Sequence, residues 1–333
     1  MKKNEVKGGV SMQLMRRVRT FLLCAAAFAV IQVTTAPNAT AGPILGSDLA
    51  SFAILGGAGV AINGTGSVIT GGVGGCCNAT AVTGVIPTNF TISGRTVQMG
   101  GSIATLAQGE LSTAITALSG LAPGTPDPLL GGLTLGPGVY SSSSTMGLTG
   151  TLNLDGGGNL NALWGFLVGS SLTTASSSVV NVFNTGPGAG VYWVMGAGSA
   201  TLGSNSTFQG NILANQSITL GTNVTDPCGR LVTQVASVTL AGTDTIGIGC
   251  SGILAGSNGL SGGGTITSGV VTPLPPAFAP EPGTFLFLGI GIAFLAVRRP
   301  RPAWGRQRDL ASQGLTPNPA IELFGADADS VSG

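Results

Sequence analysis

Along residues 160–245 apolar and polar positions alternate with a period of two, and the alternation repeats. "SATLGSNST" from Ser199, "SITLGTNVT" from Ser217 and "SVTLAGTDT" from Ser237 each read serine, apolar, threonine, leucine, small residue, then polar residues ending on threonine. Such alternation belongs to a strand with one buried face. It turns Ala200 and Leu202, Ile218 and Leu220, and Val238 and Leu240 inward, and leaves Ser199, Thr201, Ser217, Thr219, Ser237 and Thr239 pointing out. The Gly, Asn and Asp that follow each strand suit tight corners. Thr173 in "SSLTTAS" takes the same outward place, so Thr173, Thr201, Thr219 and Thr239 recur at intervals of 28, 18 and 20 residues. The long first interval holds the Gly- and Pro-rich insert "NTGPGAGVYW". "WGFLVGSSLTT" and "YWVMGAGSATL" also align, with one residue inserted in the second. A repeat near 20 residues without helical spacing predicts a β-solenoid, whose coils bury their apolar residues only by stacking on one another.

One segment breaks the β pattern. In "SIATLAQGELSTAITALSG", Ile103, Leu106, Ala107, Leu111, Ala114, Ile115 and Leu118 recur at helical spacing, with Ser102 as a cap at the start, Gly120 at the end, and Pro123, Pro126 and Pro128 beyond. A lone helix over about residues 102–119 of a β chain must lay its apolar stripe along the solenoid. Trp164, Phe166, Tyr192 and Trp193 fall in apolar strands and are assigned to the core.

Composition narrows the chemistry. Of 333 residues 57 are Gly, 43% are hydrophobic, only 8% are charged, and there is no His. That balance argues against disorder. No Lys follows Lys7, and between Gly42 and Pro280 only Arg95 and Arg230 stand against six carboxylates, so the phosphate-neutralising patch of a nucleic-acid binder is absent. A Ser or Cys nucleophile would find no His or Lys in this body to act as its base, and the carboxylates are scattered. Asp155 in "LDGGGN" reads as a turn residue rather than a glycosidase acid. The glycine runs lack the Gly-Lys-Ser/Thr of a phosphate cradle, and adjacent Cys76-Cys77 lacks zinc-ligand spacing. The expectation is a non-enzymatic protein without cofactor or metal.

The N-terminal end reads as an address. Basic residues through Arg19 precede the apolar run "FLLCAAAFAVIQV" and the small-x-small site Ala39–Ala41, which predicts a signal peptide over residues 1–41. Export leaves Cys76, Cys77, Cys228 and Cys250 in an oxidising compartment, where four cysteines permit three pairings. Cys228 and Cys250 are 22 residues apart, close to the repeat length, which puts them on neighbouring turns. A disulfide between these two, near the end of the solenoid, is the expected pairing.

"LGPGVYSSSSTMGLTGTLNLDGGGNLNALWGFLVGSSLTTAS", "SATLGSNSTFQGNILANQSITLGTNVT" and the opening "ILGSDLASFAILGG" together resemble the bacterial and fungal ice-binding-protein-like domain, over about residues 44–248. The resemblance implies an all-β fold: a right-handed, three-sided, discontinuous β-solenoid whose N-terminal strands join the C-terminal coils out of sequence order, with one long helix packed alongside. It also implies a Thr-Ala/Gly-x-Thr/Asn motif on one face. Thr174-Ala175-Ser176-Ser177 corresponds to it, and later coils keep Gly203-x-Asn205, Gly221-x-Asn223 and Ala241-x-Thr243 behind Leu202, Leu220 and Leu240.

A second resemblance covers the C-terminal region. "PEPGTFLFLGIGIAFLAVRRPR" is similar to the PEP-CTERM sorting signal of Gram-negative bacteria: Pro280, Glu281 and Pro282, then 14 apolar or small residues over 284–297, then Arg298, Arg299 and Arg301. It implies export across the inner membrane, transient membrane insertion, recognition by an exosortase-type enzyme, and a cell-surface or extracellular destination. The polar residues 302–333 depart from that pattern and are expected to be disordered. The layout is then a signal peptide over 1–41, a solenoid over 42–275, a sorting segment over 276–301 and this extension.

Two functions fit. Outward residues i and i+2 lie about 6.6 Å apart along a strand, and coils stack at about 4.8 Å, so a flat face becomes a regular grid of hydroxyls and methyls. Such a grid of Thr173, Ser199, Thr201, Ser217, Thr219, Ser237 and Thr239 can order water and hold ice or a hydrated matrix without any charge. The alternative is an adhesin or structural component of the extracellular polysaccharide matrix. That role tolerates an irregular face and favours exposed aromatics for sugar stacking.

Overall fold

The computed structural model describes residues 42–278, apart from 77–80, 85–89, 94–96 and 123. The signal peptide, the sorting motif Pro280, Glu281 and Pro282, and the polar extension lie outside the described residues.

Each turn of the chain makes three short strands. One coil runs through Gly190–Met195 and Ala200–Leu202 to Thr207, and the next through Gly210–Ala214, Ile218–Leu220 and Thr225–Asp226. Equivalent strands pair in parallel from coil to coil. The result is a nine-stranded first side, a seven-stranded second side, and a third side of four and three strands joined by single bridges at Thr207. Trp193 pairs with Phe166, and Thr201 with Thr173, which reproduces the one-residue insertion that the sequence alignment required.

Coil order in space is not chain order. Phe52–Gly56 pairs with Gly229–Thr233, Gly59–Ile62 with Ser237–Leu240, and Ser67–Thr70 with Thr245–Gly247. The coil of Gly72–Gly75, Val82–Thr83 and Phe90–Ser93 then stacks beyond these. The N-terminal strands therefore extend the solenoid from its C-terminal coils, the discontinuity expected above.

Alternation explains the core. On the second side Leu172, Ala200, Ile218, Val238, Val60 and Val82 follow one another in register and are all buried. Each large aliphatic in that file contributes about 1.5–3 kcal/mol by leaving water. From the first side Trp164, Phe166 and Trp193 point into the same core, with Phe166 and Trp193 stacked at 3.9 Å between ring centroids. Tyr192 is equally buried but faces the other way, towards the helix.

That helix, α1, spans Ser102–Ser119 and buries Ala104, Ala107, Leu111, Ala114, Ile115 and Leu118 against Tyr192, Val194, Leu213, Val232 and Leu55 of the first side. Its stripe is rotated from the expected one. Ile103 and Leu106 are 42% and 57% exposed, and alanines take the contact, which lets the helix axis sit close to the sheet. Ser102 does not cap the start. It is the first helical residue; Gly101 holds the cap position without a side chain, and its carbonyl accepts from the Thr105 N–H and hydroxyl. Gly120 closes the other end with its N–H on the Thr116 and Ala117 carbonyls.

After Gly247 the chain turns back. Residues 248–278 form a strap along the corner between the third and first sides. Cys250 is disulfide-bonded to Cys228 with 4.7 Å between Cα atoms, as the spacing predicted. Its position differs from expectation: the bond lies at the end of the solenoid in sequence but inside it in space, because the coils of residues 52–70 and 72–93 stack beyond. Further along the strap Val191 N–H donates to Leu260 O, Gly262 N–H to Ala189 O and Gly263 N–H to Gly188 O. The insert "NTGPGAG" is thus the saddle on which the strap lies. A Cβ on Gly190 would stand 2.0 Å from Gly262 O, which explains why this crossing is written in glycine. The hairpin of Gly264–Thr267 and Val270–Pro273 then pairs with Gly42–Pro43.

Closing a 22-residue loop stabilises by about 3 kcal/mol in the chain-entropy account. The double variant Cys228→Ser/Cys250→Ser is expected to lose about that much in denaturant unfolding, again on the loop-closure estimate. A loss below about 1 kcal/mol would show that the strap is held by its hydrogen bonds instead.

Candidate functional site

On the second side the central outward position of every strand is small or a threonine. Read coil by coil, the file runs Gly147, Thr173, Thr201, Thr219, Thr239, Ala61 and Thr83, each paired in register with the next. Thr173, Thr201, Thr219 and Thr83 are exposed and Thr239 is half-buried. Two residues earlier on each strand a second file holds Ser171, Ser199, Ser217 and Ser237, and Gly59 pairs with Ser237 to continue it. The Ser217 hydroxyl donates to that of Ser199 at 3.2 Å. Among the paired strands neither file contains a bulky or ionisable side chain, so the surface is uncharged, with strands about 4.8 Å apart; only at the open end does the bridge from Gly147 bring in a bulky side chain, Leu129, which is 74% exposed.

All seven residues expected from the sequence, Thr173, Ser199, Thr201, Ser217, Thr219, Ser237 and Thr239, lie on this one side. Thr83, Ala61, Gly147 and Ser171 also belong to it and were missed. The signal for Ser171 was present in "SSLTT", but Thr83 lies in a two-residue strand without the Ser-x-Thr-Leu signature, and only the out-of-order docking brings it into the file.

The corner beyond this face carries the Thr-Ala/Gly-x-Thr/Asn positions. The first position of the Thr-Ala/Gly-x-Thr/Asn motif does not face out: Thr174 is 3% exposed and its Oγ1 accepts from the Gly203 N–H at 2.9 Å. It replaces Leu202, Leu220 and Leu240 in the inward column, and its hydroxyl is satisfied there by backbone. The last position is the one that turns out, because Ser177, Asn205, Asn223 and Thr243 sit at φ 58°, 59°, 58° and 54°. Asn tolerates that left-handed backbone better than most residues. The Asn223 side chain donates to Asn205 Oδ1 at 2.9 Å, so the corner is itself a hydrogen-bonded ladder. Beneath it Asp244 accepts from the Val224 and Gly242 N–H groups at 2.8 and 3.1 Å, while burial pushes its carboxyl up.

The other two sides differ. The first is covered by α1. The third also carries a file in register, Thr151, Val179, Thr207, Thr225, Thr245 and Val68, which the sequence reading did not single out. Two residues further on, however, stand Asn153, Asn181, Gln209 and Pro227, so that face is uneven. Asp155 ends its strand there as a turn residue, accepting from the Gly157 N–H and the Asn184 amide, both of which hold its pKa down.

Ionisable groups inside the fold are structural. Arg230 is fully buried and donates to Asn211 Oδ1 at 2.8 Å, Gly259 O at 3.3 Å and Ala50 O at 2.8 Å; burial lowers its pKa to about 10. Asp226, equally buried, is pushed well up by desolvation. Tyr192 is raised by burial, with its hydroxyl donating to the Ser261 and Gly262 carbonyls. The open depression among Ser119, Ser142, Leu167, Gly169 and Ala197 holds no ionisable side chain. Among the described residues no cluster of His, Cys, Asp and Glu could hold a metal ion.

The solenoid thus carries a helix over one side and a neutral, in-register threonine file on another. Residues 54–246 match the model of the family described as Ice-binding-like. The chain is 41% identical over 226 residues to the ice-binding protein of Nostoc sp. (strain HG1), covering 67% of this chain and 80% of that one. The crystal structure of the ice-binding protein of the Antarctic ascomycete Antarctomyces psychrotrophicus superposes with a TM-score of 0.57 at 33% identity, over 63% of this chain and all of that one. An ice-binding protein from an Antarctic biological consortium gives a TM-score of 0.56 at 28% identity, over 62% and 90%. The chain belongs to the Ice-binding-like family.

Proposed function

We propose that this protein is exported and binds ice through the second side of its solenoid, with Thr173, Thr201, Thr219, Thr239 and Thr83 as the central contacts and Ser199, Ser217 and Ser237 beside them. The observation that supports this reading is the in-register file of seven small or threonine positions. One weak contact per coil binds nothing alone. Repeated over stacked coils on a rigid sheet, the contacts act together, because the backbone ladder has already fixed their spacing and little ordering remains to oppose binding. The absence of charge on the file favours an ordered neutral lattice over an ionic partner.

The ice named for the relatives is consistent with this. A sugar-stacking matrix role has less support, since Trp164, Trp193, Tyr192 and Phe166 are buried and the exposed Phe278 stands apart, beside Gly158. For the tail we propose the sorting role given by Pro280, Glu281 and Pro282, with an exosortase-type enzyme as partner.

The test is a thermal-hysteresis and ice-recrystallisation assay on protein isolated from cells expressing the full chain. Faceted crystals and arrested recrystallisation are expected. Unchanged ice growth at saturating protein would remove the ice reading and put the matrix role ahead.

A further inference from the structure

Asparagine is followed by glycine twice in the chain, at Asn63-Gly64 and Asn258-Gly259. In such a pair the backbone nitrogen of the glycine can attack the side-chain carbonyl carbon of the asparagine, because no Cβ hinders the approach and the backbone turns easily into line. The structure separates the two pairs.

Asn63 stands at the end of an interleaved strand of the second side. Its N–H donates to Leu240 O at 2.9 Å, so it prolongs the ladder of Gly59–Ile62 by one residue. By alternation it takes the outward place two beyond Ala61, about 6.6 Å from the threonine file. In the coils stacked before it that place belongs to Ala241, Gly221, Gly203 and Ala175. Asn63 and Gly64 are both exposed, and among the described residues nothing hydrogen-bonds the Asn63 side-chain amide or the Gly64 N–H. Both reacting atoms are open to water. The corner itself demands this glycine, which sits at φ 79° and whose Cβ would stand 2.7 Å from Ala241 O.

Asn258-Gly259 is held instead. Gly259 is buried, and its carbonyl accepts from the Arg230 guanidinium at 3.3 Å. Beyond it Leu260 N–H donates to Ser257 Oγ at 3.2 Å, and Leu260 O accepts from Val191 N–H at 3.0 Å and the Asn211 amide at 2.8 Å. Turning that peptide to close a ring would break these bonds in the interior. Asn205 and Asn223 are bonded side chain to side chain and are followed by Ser206 and Val224, whose Cβ atoms hinder attack.

We propose that Asn63 is a self-modification site, where an amide turns into a carboxylate and puts a negative charge on the neutral second side. The Gly64 nitrogen bonds to Asn63 Cγ, the Cγ–Nδ2 bond breaks, and ammonia leaves with the Gly64 amide proton. Water then opens the five-membered imide at either carbonyl, leaving aspartate or isoaspartate. A carboxylate must shed its hydration to meet a neutral lattice, so conversion weakens a face that works without charge. The chemical step is independent of what the face binds; its effect on ice rests on the function proposed above.

The test stores the full chain folded in warm, mildly alkaline buffer and follows its peptides by mass, with methylation by an isoaspartyl methyltransferase to mark isoaspartate. The peptide that holds Asn63 is expected to gain the mass difference between an amide and an acid, faster as pH rises, because the attacking nitrogen must lose its proton. Asn258 should gain it only after unfolding in guanidinium chloride. No gain at Asn63, or an equal gain at Asn258 in the folded protein, would overturn the proposal. Asn63→Gln, which would have to close a slower six-membered ring, should keep its mass, and an equal gain in that peptide would place the reaction elsewhere. Aged wild type and fresh Asn63→Asp are expected to lose recrystallisation inhibition alike. Full inhibition after complete conversion would remove Asn63 from the binding face. Fresh wild type without effect on ice would retire the ice reading, while the mass gain at Asn63 would still establish the modification.

Discussion

Thr219→Tyr is expected to abolish ice-crystal shaping and recrystallisation inhibition while leaving the fold intact. Thr219 is the fourth of seven positions in the file, with Thr201 and Thr239 in register on either side. A phenol there stands several ångströms above a surface whose binding depends on flatness, and it holds the lattice away from both neighbours. The substitution points into solvent and leaves Ile218 and Leu220 buried below it, and exposed changes away from special features cost within about 0.5 kcal/mol. Activity and stability should therefore separate.

The same bulk at Thr83, the last position of the file, leaves the coils on its other side free to bind. Thr83→Tyr should weaken the effect without removing it. An active wild type with an equally active Thr219→Tyr would move the site to the third side and its file of Thr151, Thr207, Thr225 and Thr245. Circular dichroism and thermal melts of both variants exclude the trivial explanation that they have unfolded.

How much of this was legible in the chain depends on the range of the interaction. Strand direction was legible, because period two is local: Ala200, Leu202, Ile218, Leu220, Val238 and Leu240 are all buried where alternation put them. The helix was legible for the same reason, although its exact face was not. Whether Leu106 or Ala104 meets the sheet is decided by how closely the axis approaches, and that depends on Tyr192 and Leu213 far along the chain. The interleaving of residues 52–93 leaves no trace in periodicity and entered only through resemblance.

The site was half legible. A repeated Ser-x-Thr announces an outward file, but its extent is a matter of which strands dock at its ends. Ala61 and Thr83 could not be assigned without that knowledge. The strap was not legible at all. Its saddle of Gly188 and Gly190 read as an insert lengthening one interval of the repeat, because a glycine that admits a crossing chain looks like any other glycine in a chain of 57. The role of Arg230 was invisible too, since a single arginine in a body poor in charge gives no pattern to read.

Arg230 is where the largest loss of stability is expected. It joins three parts of the chain that are distant in sequence: Asn211 in a central coil, Ala50 just before the first interleaved strand, and Gly259 on the strap. Two of its three acceptors are backbone carbonyls, which no substitution can remove. Arg230→Met keeps the aliphatic stem but leaves these oxygens buried without a donor, at about 1–3 kcal/mol each. A buried charge can often be exchanged for an apolar side chain at little cost when its partners are exchanged with it, and here they cannot be. Asp226, pushed up by burial and so biased to its neutral form, gains nothing from losing the guanidinium that helps hold it down. The expected loss is about 3–5 kcal/mol, which for a domain of this size lowers the thermal midpoint by roughly 10 °C. Arg230→Lys keeps a charge but lacks the fork that reaches three acceptors, and should recover only part of the loss. Unfolding of the isolated protein in guanidinium chloride measures both. An Arg230→Met protein within about 1 kcal/mol of wild type would mean that water or Tyr192 satisfies these carbonyls instead, and that the interleaved strands and the strap are held by packing and the disulfide alone.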